Sequence, residues 1–294
     1  MDPRNRPSKG IPGGLMKPLL LAIVLLVLAA QCIGAAPRTE EVEFFSRGTR
    51  LAGSLVLPAG EVRAAVVFVH GSGKQARDLR WANRFADAGI AALVYDKRGV
   101  GKSGGEYEER HSVGEKNLSL LADDALAAVR RLSMHSLVNG KKVGLAGISQ
   151  AGWIAPLAAQ RSDAVEFLVM WSGPVCKVSE EDIYSKYTSD ADGHAPPYVE
   201  ALKAREVKYI WPDFLGRDID SGDSLATLSI PGLWIFSDND ASIPVDLSIE
   251  RLRKLRRAGH GFDYALFSGL GHNNMEGTFH VAVEWIGRSH RPDR

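Results

Sequence analysis

From residue 41 onward, short apolar runs without helical period alternate with amphipathic stretches. Residues 64–69, 90–95, 143–148, 165–171, 232–237 and 262–267 are largely apolar and rich in β-branched or aromatic side chains. Runs of this length and composition predict strands buried on both faces. Residues 41–45 and 51–57, either side of a turn at Gly48, predict a leading strand pair. Helical spacing runs over 78–88, where Gly89 stops it, over 117–134 and over 150–161. Ile249, Leu252 and Leu255 form the buried stripe of a helix whose solvated face carries Arg251, Arg253, Lys254, Arg256 and Arg257. A terminal helix follows the last strand. Strand, helix and strand in alternation predict an α/β fold, a mostly parallel central sheet flanked by helices.

The pattern breaks at two places. In residues 1–36, Lys17 precedes an uncharged stretch whose apolar heart runs over 19–30, followed by Gly34, Ala35 and Ala36. Basic, then apolar, then small is the order of a secretory signal peptide, with a retained N-terminal anchor as the alternative. The apolar heart is shorter than the roughly 20 residues of a comfortable membrane span. Either reading exports residues 37–294, with membrane contact only through a retained segment. Removing the segment takes Cys32 with it and leaves Cys176 alone, so no internal disulfide is expected. The second break is at about 176–228, a polar, mixed stretch holding Tyr184, Tyr187, Tyr198, Tyr209, Trp211 and Phe214. It is too long for a simple connection between two core strands.

Charge changes the picture only by exclusion. The 36 Lys and Arg residues nearly balance the 35 Asp and Glu residues, for a formal net charge of +1. No basic block is large enough to suggest a nucleic acid partner.

Candidate chemistry sits where predicted strands end. Lys142 to Gly152 read K-V-G-L-A-G-I-S-Q-A-G, placing Ser149 on a sharp strand-to-helix turn among the small residues Gly147, Ala151 and Gly152. The following helix points its N–H groups at that turn. His70-Gly71-Ser72-Gly73 follows another strand. Gly99, Gly101 and Gly104 spell a dinucleotide pattern with Asp123 and Asp124 downstream, and Gly101-Lys102-Ser103 ends like a phosphate loop. Both fail, because the acid-rich stretch 106–116 offers no helix N-terminus to a phosphate. His272, Glu276 and His280 share a helical spacing but lack the H-E-x-x-H arrangement, so no metal is expected.

Taken together, five motifs resemble the α/β-hydrolase family in kind and in order. Gly147 to Ala151 is similar to the G-x-S-x-G nucleophile elbow, with Ala151 at the fifth position. His70 to Gly73 matches its H-G-x turn. Asp96 to Ser103 matches its D-x-R-G-x-G-x-S loop, which implies that Asp96, Arg98 and Ser103 brace a turn. The family pattern of an acid, two residues, then Val or Ile and Pro falls on Asp240-Ala241-Ser242-Ile243-Pro244 and selects Asp240 over Asp238. Gly269-Leu270-Gly271-His272 matches the segment carrying the family's histidine. The resemblance implies a helical cap inserted after the sixth strand, within 176–228, and a Ser149, Asp240, His272 triad. It also implies an oxyanion hole from the backbone N–H groups of Ser72 and Gln150. No cofactor is implied. The expected partner is a small-molecule acyl substrate, and the expected reaction is cleavage of a small or medium carboxylic ester through an acyl-enzyme. An exported peptidase acting on short peptides, a thioesterase or acyltransferase, and a non-catalytic binding protein of the same fold are the alternatives.

Overall fold

The computed structural model describes residues 36–191, 193–205 and 209–289. The expected signal segment lies outside them, apart from Ala36. The chain divides after Ala36, and the unit that follows is Pro37–Arg294. Its strands are β1 (Arg38–Ser46), β2 (Thr49–Leu57), β3 (Ala64–Val69), β4 (Ile90–Tyr95), β5 (Val143–Ile148), β6 (Phe167–Trp171), β7 (Gly232–Ser237) and β8 (Phe262–Phe267). Its helices are α1 (Leu79–Asp87), α2 (Glu115–Ser133), α3 (Ala151–Ala159), α4 (Val178–Thr188), α5 (Tyr198–Ala204), α6 (Ser221–Leu225), α7 (Val245–Arg257) and α8 (Met275–Ser289).

The strands form one sheet in the order β1-β2-β4-β3-β5-β6-β7-β8. β2 pairs antiparallel with β1 and β4, and every other neighbour is parallel. β1 begins at Arg38 rather than residue 41, because it is the edge strand and Arg38, Thr39 and Glu40 carry no apolar pattern to read.

Apolar runs are continuous because both faces are covered. Along β3, Ala64, Val66 and Phe68 pack with Trp81 and Phe85 of α1 and with Met275 and Phe279 of α8. Ala65, Val67 and Val69 point the other way, into the layer of α2, α3 and α7. Each fully buried Val, Leu, Ile or Phe contributes on the order of 1.5–3 kcal/mol. The chain leaves β3 for β4 on one side and reaches β5 on the other. The crevice beyond the carboxyl ends of β3 and β5 is therefore the topological switch point, where open α/β sheets place ligands. Both His70–Gly73 and Ser149 lie there.

Between β6 and β7 the chain forms α4, α5, a 3-10 turn at Asp213–Leu215, and α6. Ile183, Tyr184 and Ala201 make a small core of their own, with Tyr198 and Tyr209 against it. Tyr184 donates to Pro196 O, Tyr209 to Asp182 and Trp211 to Gly216 O, so these aromatics brace the insertion from within. Thr188 Oγ1 donates to Ala241 O, and Gly193 N–H donates to Asn239 O at 3.1 Å. These bonds fasten the insertion to the loop carrying Asp240.

Candidate active site

The elbow is built by contact as well as by sequence. Ser149 has a φ of 56° and is half-buried. A left-handed non-glycine residue costs of order 1–3 kcal/mol and persists only when its surroundings over-determine it. Here they do. Ser149 N–H donates to Trp171 O at 3.0 Å, continuing the β5–β6 ladder. A Cβ on Gly147 would sit 2.5 Å from Ala151 Cβ and 2.7 Å from Val69 O. A Cβ on Gly152 would sit 2.6 Å from Pro174 Cδ. Ala151 thus fits at the fifth position because Gly147 has no side chain to meet it.

The acid and histidine loops are zipped together. Left-handed φ values at Gly269 (78°) and Gly271 (66°) bring three successive N–H groups onto the β7 end. Gly269 N–H donates to Asp238 Oδ1, Leu270 N–H to Ser237 Oγ and Gly271 N–H to Asn239 Oδ1. Asp240 is fully buried, and both its carboxylate oxygens lie 3.0 Å from His272 Nδ1. Its Oδ1 also accepts from the N–H groups of Ser242 (3.0 Å) and Ile243 (3.3 Å). The structure thus brings Asp240, not Asp238, to the imidazole. Asp238 is exposed and braces the Ser268–Gly269 turn.

Ser172, which no sequence motif singles out, holds the histidine from behind. It sits at the end of β6 with a φ of 44°. Its hydroxyl donates to His272 O at 2.8 Å and accepts from Asn274 Nδ2 at 3.3 Å. The turn after β3 touches the elbow directly: a Cβ on Gly71 would lie 3.4 Å from Ser149 Cβ. Ser72 is exposed at this turn, and Gln150 is buried at the start of α3. Lys97, also without a sequence signal, reaches both segments from below, donating to Gly71 O and to Gln150 Oε1. A cavity of about 450 Å³ flanks the site, lined in part by Phe68, His70, Trp81, Ile148 and Met275.

The loop after β4 is structural. Asp96 accepts from the Arg77 guanidinium at 2.9 Å and from Lys102 N–H at 2.8 Å. Burial pushes its carboxyl up, but these bonds more than offset it and hold the group below the usual carboxylate range. Ser103 Oγ donates to Asp96 O. Arg98 forms a buried ion pair with Asp124, and Asp123 pairs with Arg47 and Arg161. The acids that completed the dinucleotide pattern are thus spent on arginines. Glu276 pairs with Arg84, away from His272.

His70 is buried against Tyr95, ring centroids 4.7 Å apart. Burial, and after it the Lys97 charge, lowers its pKa to about 4. The folded protein refuses a proton that the unfolded chain accepts near pH 6.5. The stability this group supports is therefore complete above pH 6.5 and lost as pH falls toward 4, by about 3 kcal/mol in total. Urea unfolding at pH 7 and pH 4 should show that loss in the wild type and much less of it in His70→Asn. Equal losses in both would assign the acid sensitivity elsewhere.

Comparison with known proteins fits this geometry. The profile of the family described as serine aminopeptidase, S33, matches residues 60–220, just over half of the chain. The chain belongs to this family. It is an α/β hydrolase, and solved α/β-hydrolase structures superpose on it. An esterase from Pyrococcus furiosus matches with a TM-score of 0.61 and 20% identity over 86% of this chain and 89% of its own. An acylaminoacyl peptidase from Pyrococcus horikoshii matches with a TM-score of 0.66 and 18% identity over 91% of this chain and 44% of its own. Among curated sequences, a polyketide transferase from Penicillium crustosum is 30% identical over 184 residues, 56% of this chain. The chain spans 58% of that relative's length.

Proposed function

We propose that this α/β hydrolase cleaves a carboxylic ester of a small or medium acyl substrate through an acyl-enzyme at Ser149. The observation that carries the reading is the buried Asp240 carboxylate set squarely on His272 Nδ1. That contact fixes the proton on Nδ1 and leaves Nε2 with the lone pair that a general base needs. Ser149 Oγ attacks the acyl carbon and gives its proton to His272 Nε2. The N–H groups of Ser72 and Gln150 receive the oxyanion. The tetrahedral intermediate expels the alkoxide, which takes the proton from His272, and water repeats the cycle on the acyl-enzyme.

The test is intact-mass analysis of the 37–294 domain after fluorophosphonate treatment, with Ser149→Ala as the control. One adduct, absent in the control, supports the reading. No adduct on folded protein sinks it and favours a binding protein of the same fold. Two relatives favour second readings. The acylaminoacyl peptidase and the family's description favour a peptidase acting on short peptides. The polyketide transferase favours an acyl acceptor other than water. Turnover of matched esters and aminoacyl amides, with and without added alcohol acceptors, separates the three.

We further propose export, with residues 1–36 as signal peptide or anchor. Among the described residues, no helix is long and apolar enough to cross a membrane. An N-terminus near residue 37 on protein recovered outside the cytoplasm would support cleavage; recovery inside it would sink the proposal.

A further inference from the structure

Lys97 lies between Asp96 and Arg98, whose side chains both end in ion pairs. Its own does not. Nζ donates to Gly71 O at 2.8 Å, to Gly73 O at 3.2 Å and to Gln150 Oε1 at 2.9 Å. An ammonium has three donors, and all three go to neutral acceptors. The residue is 3% exposed, and burial lowers its pKa to about 8. A buried charge without a counter-charge works against folding. Its presence here therefore calls for a role other than stability.

The acceptors indicate that role. Gly71 C=O and Ser72 N–H belong to one planar trans peptide unit and point in opposite directions. Whatever holds Gly71 O therefore sets the direction of Ser72 N–H. Gln150 is held at both ends of its amide, by Lys97 on Oε1 and through Nε2 to Ser112 O at 2.9 Å. One cation thus joins the two segments that carry the proposed oxyanion donors, the turn after β3 and the start of α3. Because Lys97 is buried, its charge also favours negative charge developing nearby.

We infer that Lys97 is a positioning residue of the oxyanion hole, aiming Ser72 N–H, anchoring Gln150 and placing positive charge behind both. This rests on the acyl transfer proposed at Ser149, and the two can fail separately. Wild-type labelling by a fluorophosphonate tests the acyl transfer. The ratio of variant to wild type tests Lys97.

In Lys97→Met, kcat should fall about 30–100-fold, somewhat less than outright loss of a donor would cost, with KM within about threefold. A trifluoromethyl ketone, which forms an oxyanion on Ser149, should lose affinity by a similar factor. The matching alcohol, which forms none, should bind as before. A purely structural role would move both ligands alike. A folded variant with near wild-type kcat, or equal loss for both ligands, overturns the inference.

If Lys97→Met does not fold, the pH profile decides. His70 faces Lys97 but stays neutral above about pH 4. The Tyr107 ring lies 5.8 Å away, and burial raises its phenol. The Asp96 carboxylate is committed to Arg77. Burial, aided by Asp182 and Asp190, raises Glu181 to about 8, so the test is run in Glu181→Gln. There the labelling rate should fall as pH rises through about 8. A rate flat from about pH 7 to 10 overturns the inference.

Discussion

Replacing Ser149 with alanine should remove essentially all turnover, about 10⁶-fold in kcat, while leaving thermal unfolding almost unmoved. The first half follows from the nucleophile's place in the proposed chemistry: without Oγ no acyl-enzyme forms. The second follows from the backbone. Alanine has the same Cβ as serine, so the strain of a φ of 56° is carried equally by both. Ser149→Gly should be just as inactive but should relieve that strain. It should unfold no earlier than the alanine variant and up to about 1 kcal/mol later, which is about 2–4 °C for a domain of this size. Turnover of esters by both variants and calorimetry of both check the two halves independently. Full activity in Ser149→Ala would sink the serine mechanism. A glycine variant that melts clearly earlier would sink the strain account.

The sheet was legible because its strands are buried on both faces. Residues 143–148 have no room for a polar side chain, and even Gly144 is dictated, since a Cβ there would enter the Phe167 ring at 2.3 Å. The bracing role of Asp96, Arg98 and Ser103 was legible because three residue types at fixed spacing build one turn. The pairing of Arg98 with Asp124 was not, since those residues meet only through the packing of α2 on the sheet. The choice of Asp240 over Asp238 came from the following Ile243-Pro244. The structure supplies a physical difference, which is that Asp238 is exposed whereas Asp240 is buried against His272.

Lys97, Ser172 and Asn274 escaped sequence reading for a shared reason. Their partners include backbone carbonyls distant in the chain: Gly71 O for Lys97, His272 O for Ser172, Ile235 O for Asn274. A carbonyl is present at every residue, so nothing in a sequence marks the one that will be met. Lys97 in addition sits in a run of charged residues that reads as solvated loop. Only its burial distinguishes it.

Asp240→Asn should lower kcat by about 10⁴-fold, whereas Asp238→Asn should cost no more than a few-fold. The difference is set by hydrogen-bond polarity rather than by size. Asp240 Oδ1 accepts from the N–H groups of Ser242 and Ile243, so in an asparagine the amide oxygen must occupy that position. The NH₂ then falls where Oδ2 lies, 3.0 Å from His272 Nδ1. A donor there turns Nδ1 into an acceptor and moves the imidazole proton to Nε2. The histidine is then held in place but in the wrong tautomer, with no lone pair left to take the proton of Ser149. Asp238 accepts from Gly269 N–H at 3.0 Å and from the Ser268 hydroxyl, which an asparagine oxygen can do as well. Steady-state kinetics of the two variants on one ester, beside their melting temperatures, make the comparison. A larger loss in Asp238→Asn than in Asp240→Asn would mean that the acid serving His272 lies at 238, and that the contact with Asp240 is structural.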